Sequence, residues 1–406
     1  MSRFKSIRTL ASGTVLAQII TIAATPLLTR LYSPEAFAML ALVVSAANTL
    51  GVFAHGRLTV AIAASEGDES AGEIFATGLR LVWFVCLVSF IVFGLVHALG
   101  GAPKYTVGII AAACLLGGVT ATLDLHAFFR NAAKAYKVSA VASVIRAGST
   151  VALQVLFSLA GAFGQIAGAV AGAMVSLWYS QIALRRIGKA RRYPLSISWM
   201  AARLRQNKSY ILFSAPQALA NALGNNLPPV ILSIASNPAF VGQYWLAYRL
   251  LIAPISILGG SYRQASISAF LPGRSRVLQT LLRDSAALAG IVVLIAVFLM
   301  AFGGAAFALA FGERWREAGL IASVLVMGYG ADLAKVPAVC LLQARRMERL
   351  LLLTELMTVG AKLGALSLCL IKFSPLTSLI VFAVAGGLGA LASMGLGLRV
   401  ALHGRG

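Results

Sequence analysis

Apolar runs separated by short polar segments recur along the whole chain and predict membrane-spanning helices. The runs are long enough for twelve crossings, since a helix needs roughly 20 apolar residues to cross hydrocarbon. The predicted spans are 9–29, 36–54, 79–99, 106–125, 138–160, 164–184, 209–232, 240–261, 286–311, 318–342, 351–371 and 377–398. Continuous apolar runs of this length favour helices over strands. The pattern predicts an all-α polytopic membrane protein with about 12 transmembrane helices.

The second half of the chain repeats features of the first half at a shift of 203 residues, half of 406. The matched pairs are Pro26 with Pro229, Ser33 with Ser236, Ala36-Phe37 with Ala239-Phe240, Thr14 with Gln217, and Gln18 with Asn221. Six spans return a chain to its starting side, so the second set repeats in the same orientation. We therefore predict two six-helix parallel repeats, 1–207 and 208–406, arranged around a central cavity.

Charge changes this picture by indicating an orientation. The chain has 34 Lys and Arg against 12 Asp and Glu, and a net charge of +22. Most of the basic residues fall in alternate loops and at both chain ends, which predicts cytoplasmic termini by the positive-inside rule. A composition of 59% hydrophobic and 11% charged residues excludes an ordinary soluble enzyme or nucleic-acid binder. The densest basic segment, 185–208, is predicted to contact anionic lipid.

Two polar stripes lie at matching places in the two halves. Gln217, Asn221 and Asn225 recur every fourth residue, so they share one face of span seven. The Pro-Pro pair that follows leaves two backbone carbonyls without donors. Thr14, Gln18, Thr21 and Thr25 form a similar stripe in span one. We interpret the stripes as walls of a hydrophilic cavity; hydrogen bonding between helices is the alternative.

Arginines inside or beside the spans are the candidate substrate-binding groups. Arg146 lies in span five and Arg249 near the middle of span eight, while Arg30 and Arg57 lie at span ends. A guanidinium in hydrocarbon is costly unless it is compensated, and its planar fork suits phosphate or pyrophosphate. Internal ion pairs and snorkelling to the interface are the alternatives. Tyr248, next to Arg249, is a candidate for stacking on a sugar ring.

Four charged residues in spans ten and eleven form a second candidate group. Asp332 and Lys335 are three residues apart in span ten, and Glu355 and Lys362 lie in span eleven. They either neutralise one another, or a carboxylate binds H⁺ or Na⁺ and couples transport to an ion gradient.

Small residues recur every fourth position in span six, at Gly164, Gly168, Gly172, Ser176 and Ser180. This spacing lets two helices approach closely and predicts a packing surface. The glycines of span twelve are interpreted in the same way; they are Gly386, Gly387, Gly389, Gly395 and Gly397.

Motifs for catalysis are missing from the sequence. No nucleotide-binding G-x-x-x-x-G-K-[ST] loop is present. The histidines and cysteines have no ligand spacing, and no nucleophile–base arrangement stands out. We expect no metal, no cofactor and no enzyme activity, which leaves transport as the favoured function.

Several motifs resemble the oligosaccharide flippases of polysaccharide biosynthesis, in the multidrug/oligosaccharidyl-lipid/polysaccharide exporter superfamily. The opening Ala11-Ser-Gly-Thr-Val-Leu-Ala-Gln18 and Pro26-Leu-Leu-Thr-Arg30-Leu-Tyr-Ser-Pro34-Glu-Ala-Phe37 carry the resemblance, with Asp68-Glu69-x-Ala71. Pro216-Gln-Ala-Leu-Ala-Asn221 and Val241-Gly242-x-Tyr244-x-Leu-Ala-Tyr248-Arg249-Leu-Leu extend it into the second half. Ala38 departs from the family's usual glycine after Phe.

The resemblance implies a cationic central cavity and movement of an undecaprenyl-pyrophosphate-linked oligosaccharide to the periplasmic leaflet of a bacterial inner membrane. It implies an ion gradient as the energy source. The expected partners are this lipid-linked oligosaccharide, membrane lipids, and a polysaccharide polymerase with chain-length machinery, but no nucleic acid. The alternatives are a drug antiporter on the same scaffold and, less favoured, a membrane polymerase or acyltransferase.

Overall fold

The computed structural model describes residues 2–65, 67–100, 105–186, 193–194, 196–208, 210–271 and 276–403, and all regular structure within these ranges is helical. The α-helices are α1 (Ser2–Leu31), α2 (Pro34–His55), α3 (Leu58–Ala64), α4 (Asp68–Gly100), α5 (Tyr105–Ala132), α6 (Tyr136–Leu156), α7 (Gly161–Arg186), α8 (Ile197–Gln206), α9 (Ala215–Ala235), α10 (Pro238–Ser266), α11 (Val277–Phe311), α12 (Arg316–Ala334), α13 (Val336–Ala344), α14 (Glu348–Cys369) and α15 (Pro375–His403). A π-helical turn, Tyr210–Ser214, precedes α9. The prediction of an all-α fold is confirmed.

Eleven helical segments of the described chain are long and apolar enough to cross a membrane. They coincide with every predicted span except the seventh, which is α9. The amides and the two prolines of α9 account for this exception, because they lower its apolar content below that of its neighbours. The protein is a multi-pass membrane protein, and the cytoplasmic location of its termini stays a prediction.

The corners between α1 and α2 and between α9 and α10 have the same local structure. Ser33 caps α2 through a hydrogen bond from a backbone N–H three residues on, and Asn237 caps α10 in the same way. Pro34 and Pro238 are the first residues of the two helices, where a missing N–H costs nothing. Ser33 and Asn237 are thus one residue further apart than the 203-residue shift that aligns the two halves of the sequence.

Predicted span ten is two helices rather than one. α12 ends at Ala334 and α13 begins at Val336, with Lys335 between them. Pro337 explains the break, because its ring has no N–H for the carbonyl four residues earlier and clashes with it. The interruption places Lys335 at a helix junction inside the span.

The chain divides into two compact units, Met1–Ala222 and Leu223–Gly406, which we call unit 1 and unit 2. In unit 1, one core packs α2 against α5 and α7, and a second joins α3, α4 and α5. In unit 2, the core gathers α10, α11, α13 and α15. The predicted lobes, 1–207 and 208–406, and their placement around a cavity stay predictions.

The small-residue surface of α7 packs on α6, as predicted. A Cβ at Gly172 would overlap the backbone of Thr150, and one at Gly168 would lie 2.6 Å from the Gln154 backbone nitrogen. Ser176 donates to the Ala142 carbonyl of α6.

The glycines of α15 divide into two groups. Gly389 and Gly397 closely approach neighbouring helices. Gly387 and Gly395 instead face open space within the described structure. The packing prediction therefore holds for only part of that set.

The segment between predicted spans two and three, residues 55–78, contains more helix than the predicted spans indicated. It forms the short helix α3, and α4 already begins at Asp68, so Glu73 is helical. In the basic segment, Ser196 caps the amphipathic helix α8. Arg203 of α8 forms an ion pair with Glu73, and Arg80 donates to two backbone carbonyls just before α8. Lys189, Arg191 and Arg192 lie outside the described residues.

Candidate transport site

The amide stripe of span seven lies on one face of α9, as predicted from its spacing. Gln217 and Asn225 are half-buried and Asn221 is exposed. None of the three side chains hydrogen-bonds to another residue that the structure describes. For these three side chains, hydrogen bonding to another helix, the alternative interpretation, is therefore absent among the described residues in this conformation. The amides are available to a ligand.

Arg249, in α10, likewise has no partner among the residues that the structure describes. It is half-buried, and it forms neither an ion pair nor a hydrogen bond with the part of the chain that the structure describes. A guanidinium in a membrane span without a counter-ion is energetically costly. This cost makes Arg249 the strongest candidate for contact with an anionic ligand.

Tyr248, the neighbour of Arg249, is covered by other rings. Its side chain is 9% exposed and packs against Tyr244, Trp245 and Tyr329. Stacking of Tyr248 on a sugar stays a prediction, and it would require a conformation in which the ring is uncovered.

The four charged residues of spans ten and eleven lie together, in α12, α14 and the junction at Lys335. The Lys335 ammonium is 2.7 Å from an Asp332 carboxylate oxygen and 3.5 Å from one of Glu355. Lys362 interacts electrostatically with both carboxylates. Two acids and two lysines balance one another, so the predicted neutralisation is present. Whether a carboxylate also binds a coupling ion stays a prediction.

Lys362 is held by groups that the sequence did not point to. Its ammonium lies 5.8 Å from the centre of the Tyr329 ring and 5.6 Å from that of Phe382. Its alkyl chain reaches α9, where a Cβ on Gly224 would lie 3.3 Å from the Lys362 Cε. Asp332, Lys362 and the two rings line a small cleft between α12, α14 and α15. No sequence pattern predicts that Tyr329, Phe382 and Gly224 contact Lys362, because these residues lie on separate helices and meet only when the helices pack.

The stripe of span one behaves differently from that of α9. Thr21 and Thr25 donate to the carbonyls of Ala17 and Thr21, four residues earlier in α1. These hydroxyls are therefore satisfied within their own helix. The Gln18 side-chain oxygen is buried and has no hydrogen-bond partner among the residues described. In this stripe, Gln18 is the residue that resembles the available amides of α9.

Arg146, in α6, has an acidic neighbour. It interacts electrostatically with Asp124 of α5. The two side chains do not form an ion pair, so Asp124 is a nearby charge rather than a direct partner of Arg146, whereas Arg249 has no such acidic neighbour among the described residues. A bound anion would have to compete with Asp124 for the Arg146 guanidinium.

Arg57 and Arg30 lie at the ends of helices, as predicted. Arg57 follows α2 in a left-handed backbone conformation, with φ of 60°, and its N–H donates to the imidazole of His55. Burial lowers the pKa of Arg57 from its ordinary value. Arg30, in the last turn of α1, is exposed. A role of either arginine in binding substrate stays a prediction.

Several solved structures of transporters have a similar fold. The chain resembles an inward-facing multidrug resistance MATE family transporter of the MOP superfamily, with a TM-score of 0.67, 15% identity, and coverage of 97% of this chain and 94% of that one. The lipid II flippase MurJ in an inward closed conformation gives a TM-score of 0.73 at 11% identity, covering 97% and 90%. A mutant of the Vibrio cholerae MATE transporter VcmN gives 0.63 at 16% identity, covering 98% and 96%. The chain therefore shares the fold of these structures.

Sequence comparison places the chain more narrowly. A family described as "Polysaccharide biosynthesis protein" matches residues 4–270. No curated protein sequence matches the chain. The chain belongs to the polysaccharide biosynthesis protein family, and the resemblance noted in its motifs is confirmed.

Proposed function

We propose that the protein moves an undecaprenyl-pyrophosphate-linked oligosaccharide from the cytoplasmic to the periplasmic leaflet of a bacterial inner membrane. The observation that carries the proposal is the Arg249 guanidinium, which lies within a span and is unpaired among the described residues, in a chain of the polysaccharide biosynthesis family. A pyrophosphate supplies the counter-ion that Arg249 lacks in the described structure. A guanidinium bonds an anion more strongly than a neutral solute and repels a cationic one.

The amides of α9 supply the second element of the proposed site. Gln217, Asn221 and Asn225 present donors and acceptors along two helical turns without partners among the described residues. Sugar hydroxyls both donate and accept hydrogen bonds, and they match this kind of surface. Alternating access would then expose the site to each leaflet in turn. The proposed set of substrate-binding residues is completed by Arg146, Arg57, Arg30, Gln18 and, in another conformation, Tyr248.

Energy for the movement would come from an ion gradient acting on the cluster around Lys335. Protonation or cation binding at Asp332 or Glu355 removes a negative charge that now balances two lysines. The uncompensated ammonium groups then favour a different packing of α12 and α14. Reconstituted protein should therefore flip its substrate faster with an imposed H⁺ or Na⁺ gradient than without one. An Asp332→Asn variant should lose that acceleration, and equal rates with and without either gradient would contradict the coupling.

Deletion of the gene tests the proposed function directly. Surface polysaccharide should disappear, and the lipid-linked repeat unit should accumulate on the cytoplasmic leaflet. Both effects should be reversed by the intact gene. Normal polysaccharide in a strain without another flippase would contradict the proposal.

Arg249 is tested by exchange for glutamine. Loss of charge-assisted hydrogen bonds to a phosphate group predicts a decrease of about ten-fold or more in export. Arg283→Gln is the matched control, because Arg283 is exposed and pairs with Asp284. Export that is unchanged in Arg249→Gln at equal protein level would remove Arg249 from the site.

Drug antiport is the second candidate, because multidrug transporters share the fold. It predicts that expression confers resistance to cationic compounds in a sensitive host. The Arg249 guanidinium disfavours cationic solutes by repulsion. Resistance without any effect of deletion on surface polysaccharide would favour this function over the first.

A further inference from the structure

A groove on unit 1 is lined by none of the residues assigned to transport. It runs between the first turn of α6 and the last turns of α7, and its volume is about 510 Å³. Its lining residues are Val138, Trp178, Tyr179, Ile182, Ala183 and Arg186. The groove is only partly enclosed, so a ligand can enter it.

The lining residues of α7 continue an apolar stripe along the helix. Met174, Trp178, Ile182 and Arg186 recur every fourth residue and therefore lie on one helix face. They extend over roughly 18 Å at 1.5 Å per residue. Trp178 is 69% exposed and Met174 is 41% exposed. The stripe thus consists of three apolar side chains followed by one cation at the end of the helix.

The one charge among the lining residues of the groove is positive. Arg186 is the charged residue of its lining, and none of the six lining residues is acidic. Lys137, in the first turn of α6, is exposed beside Val138. The ammonium of a zwitterionic lipid would find no carboxylate among these residues, whereas one phosphodiester charge would be matched by one guanidinium. A pyrophosphate carries more charge than this site balances.

We propose that this groove binds one anionic glycerophospholipid. The phosphate accepts hydrogen bonds from Arg186, and an acyl chain lies along Ile182, Trp178 and Met174. The indole of Trp178 suits this position, since its apolar ring can contact the chain near the membrane interface. The groove and the proposed transport site share no residue, so either proposal can fail without the other.

Binding of phosphatidylglycerol to the purified full-length protein, followed by native mass spectrometry, tests the proposal. Arg186→Gln should weaken binding about five-fold, the effect of one basic residue near a lipid headgroup. Arg185→Gln is the matched control, because it removes the same charge one residue away, on a different face of α7. Because the segment 185–208 is also predicted to attract anionic lipid, Arg185→Gln should weaken binding, but by less than Arg186→Gln does. Equal weakening in both variants would mean that only the general surface charge attracts lipid, and it would overturn the groove.

The apolar part of the site is tested separately. Trp178→Ala should weaken binding of phosphatidylglycerol, whereas Val175→Ala, at a residue that is also exposed but does not line the groove, should not. Circular dichroism of each variant confirms that the protein is folded. Equal binding by the two variants would overturn the placement of the acyl chain in the groove.

Two other lipids distinguish the source of the bound phosphate. Phosphatidylethanolamine should bind weakly and should not distinguish wild type from Arg186→Gln. Displacement of phosphatidylglycerol by an equimolar polyprenyl pyrophosphate would identify the groove as a substrate site and overturn the proposal.

Discussion

Unit 1 and unit 2 hold their polar groups in different ways. The interior of unit 1 contains an arginine and neutral groups, such as Arg130 beside Ser139 and the buried amides of Gln154 and Gln165. Unit 2 instead gathers two carboxylates and two ammonium groups around Lys335. A fixed guanidinium keeps its charge at any physiological pH, while a carboxylate can exchange ions. Unit 1 therefore buries mostly groups whose charge is fixed or absent, whereas unit 2 contains both the carboxylates proposed to respond to an ion gradient and Arg249, the guanidinium proposed to hold an anion.

The two halves also differ in which features of the sequence repeat are preserved in the structure. The corner before α2 and the corner before α10 keep a capping side chain followed by proline. Arg80 and Arg283 also match at the sequence shift, yet their contacts are different. Local backbone geometry follows from a few neighbouring residues and is retained, whereas polar contacts depend on distant helices and have diverged.

The largest loss of stability is expected when the ionic cluster of unit 2 is disrupted by a substitution at Lys335. Lys335→Met leaves Asp332 and Glu355 without their shared ammonium, and removing one partner of a buried pair costs about 3 kcal/mol. The free energy of unfolding, measured by denaturant titration in detergent, should fall by this amount. Lys372→Met, at an exposed residue after α14, should have no effect. Equal stability of the two variants would show that the cluster is not a structural element of unit 2.

Helix packing in unit 1 should show the next largest effect. Gly172→Ala places a methyl group against the Thr150 backbone, too close for both to fit, which forces α6 and α7 apart. Overpacking of this kind costs about 1–3 kcal/mol in free energy of unfolding. Gly148→Ala, in α6 but with open space at its Cβ, is the control and should not destabilise the protein. Equal loss in both would mean that the intrinsic preferences of the residues, rather than helix contact, decide stability here.

A smaller effect on stability is expected for Arg80 and Arg283, the two arginines that match at the sequence shift. Arg80 donates to the carbonyls of Tyr193 and Pro194 and lies 5.3 Å from the Trp199 ring centre, whereas Arg283 is exposed and pairs with its neighbour Asp284. Arg80→Gln should destabilise the protein by about 1 kcal/mol. Limited proteolysis should then cleave near α8 faster, and Arg283→Gln should match the wild type. Equal cleavage of all three proteins would erase this contrast between the halves.

The smallest effect has the opposite sign. No described atom lies within 4 Å of the point where a Cβ would project from Gly387 of α15, so alanine fits there without a clash. Gly387→Ala should stabilise the protein by about 0.5–1 kcal/mol, because glycine loses more backbone entropy on folding. Gly389→Ala, two residues away, should destabilise it, since its Cβ would overlap the Thr358 side chain. Thermal unfolding of the two variants in detergent gives the comparison; a shift in the same direction would contradict it.

The positions of the helices and the fold class could be predicted from the sequence, because both depend on local composition. Long apolar runs require helices in hydrocarbon, and the eleven spans follow from that alone. The four-residue spacing of the amides in α9 likewise determined their common face. Family membership followed from short motifs around the corners of the two halves.

Contacts between helices were decided only by the tertiary structure. The sequence offered a charge partner and an unpaired cation as alternatives for Arg146 and Arg249. Folding placed the Asp124 charge near Arg146 and left Arg249 without an acidic neighbour among the described residues. Folding likewise placed the Lys362 ammonium near the rings of Tyr329 and Phe382. Such neighbours are set by how helix faces pack across many residues. Hydropathy determined which segments cross the membrane, and packing determined which of their polar groups remain available to a ligand.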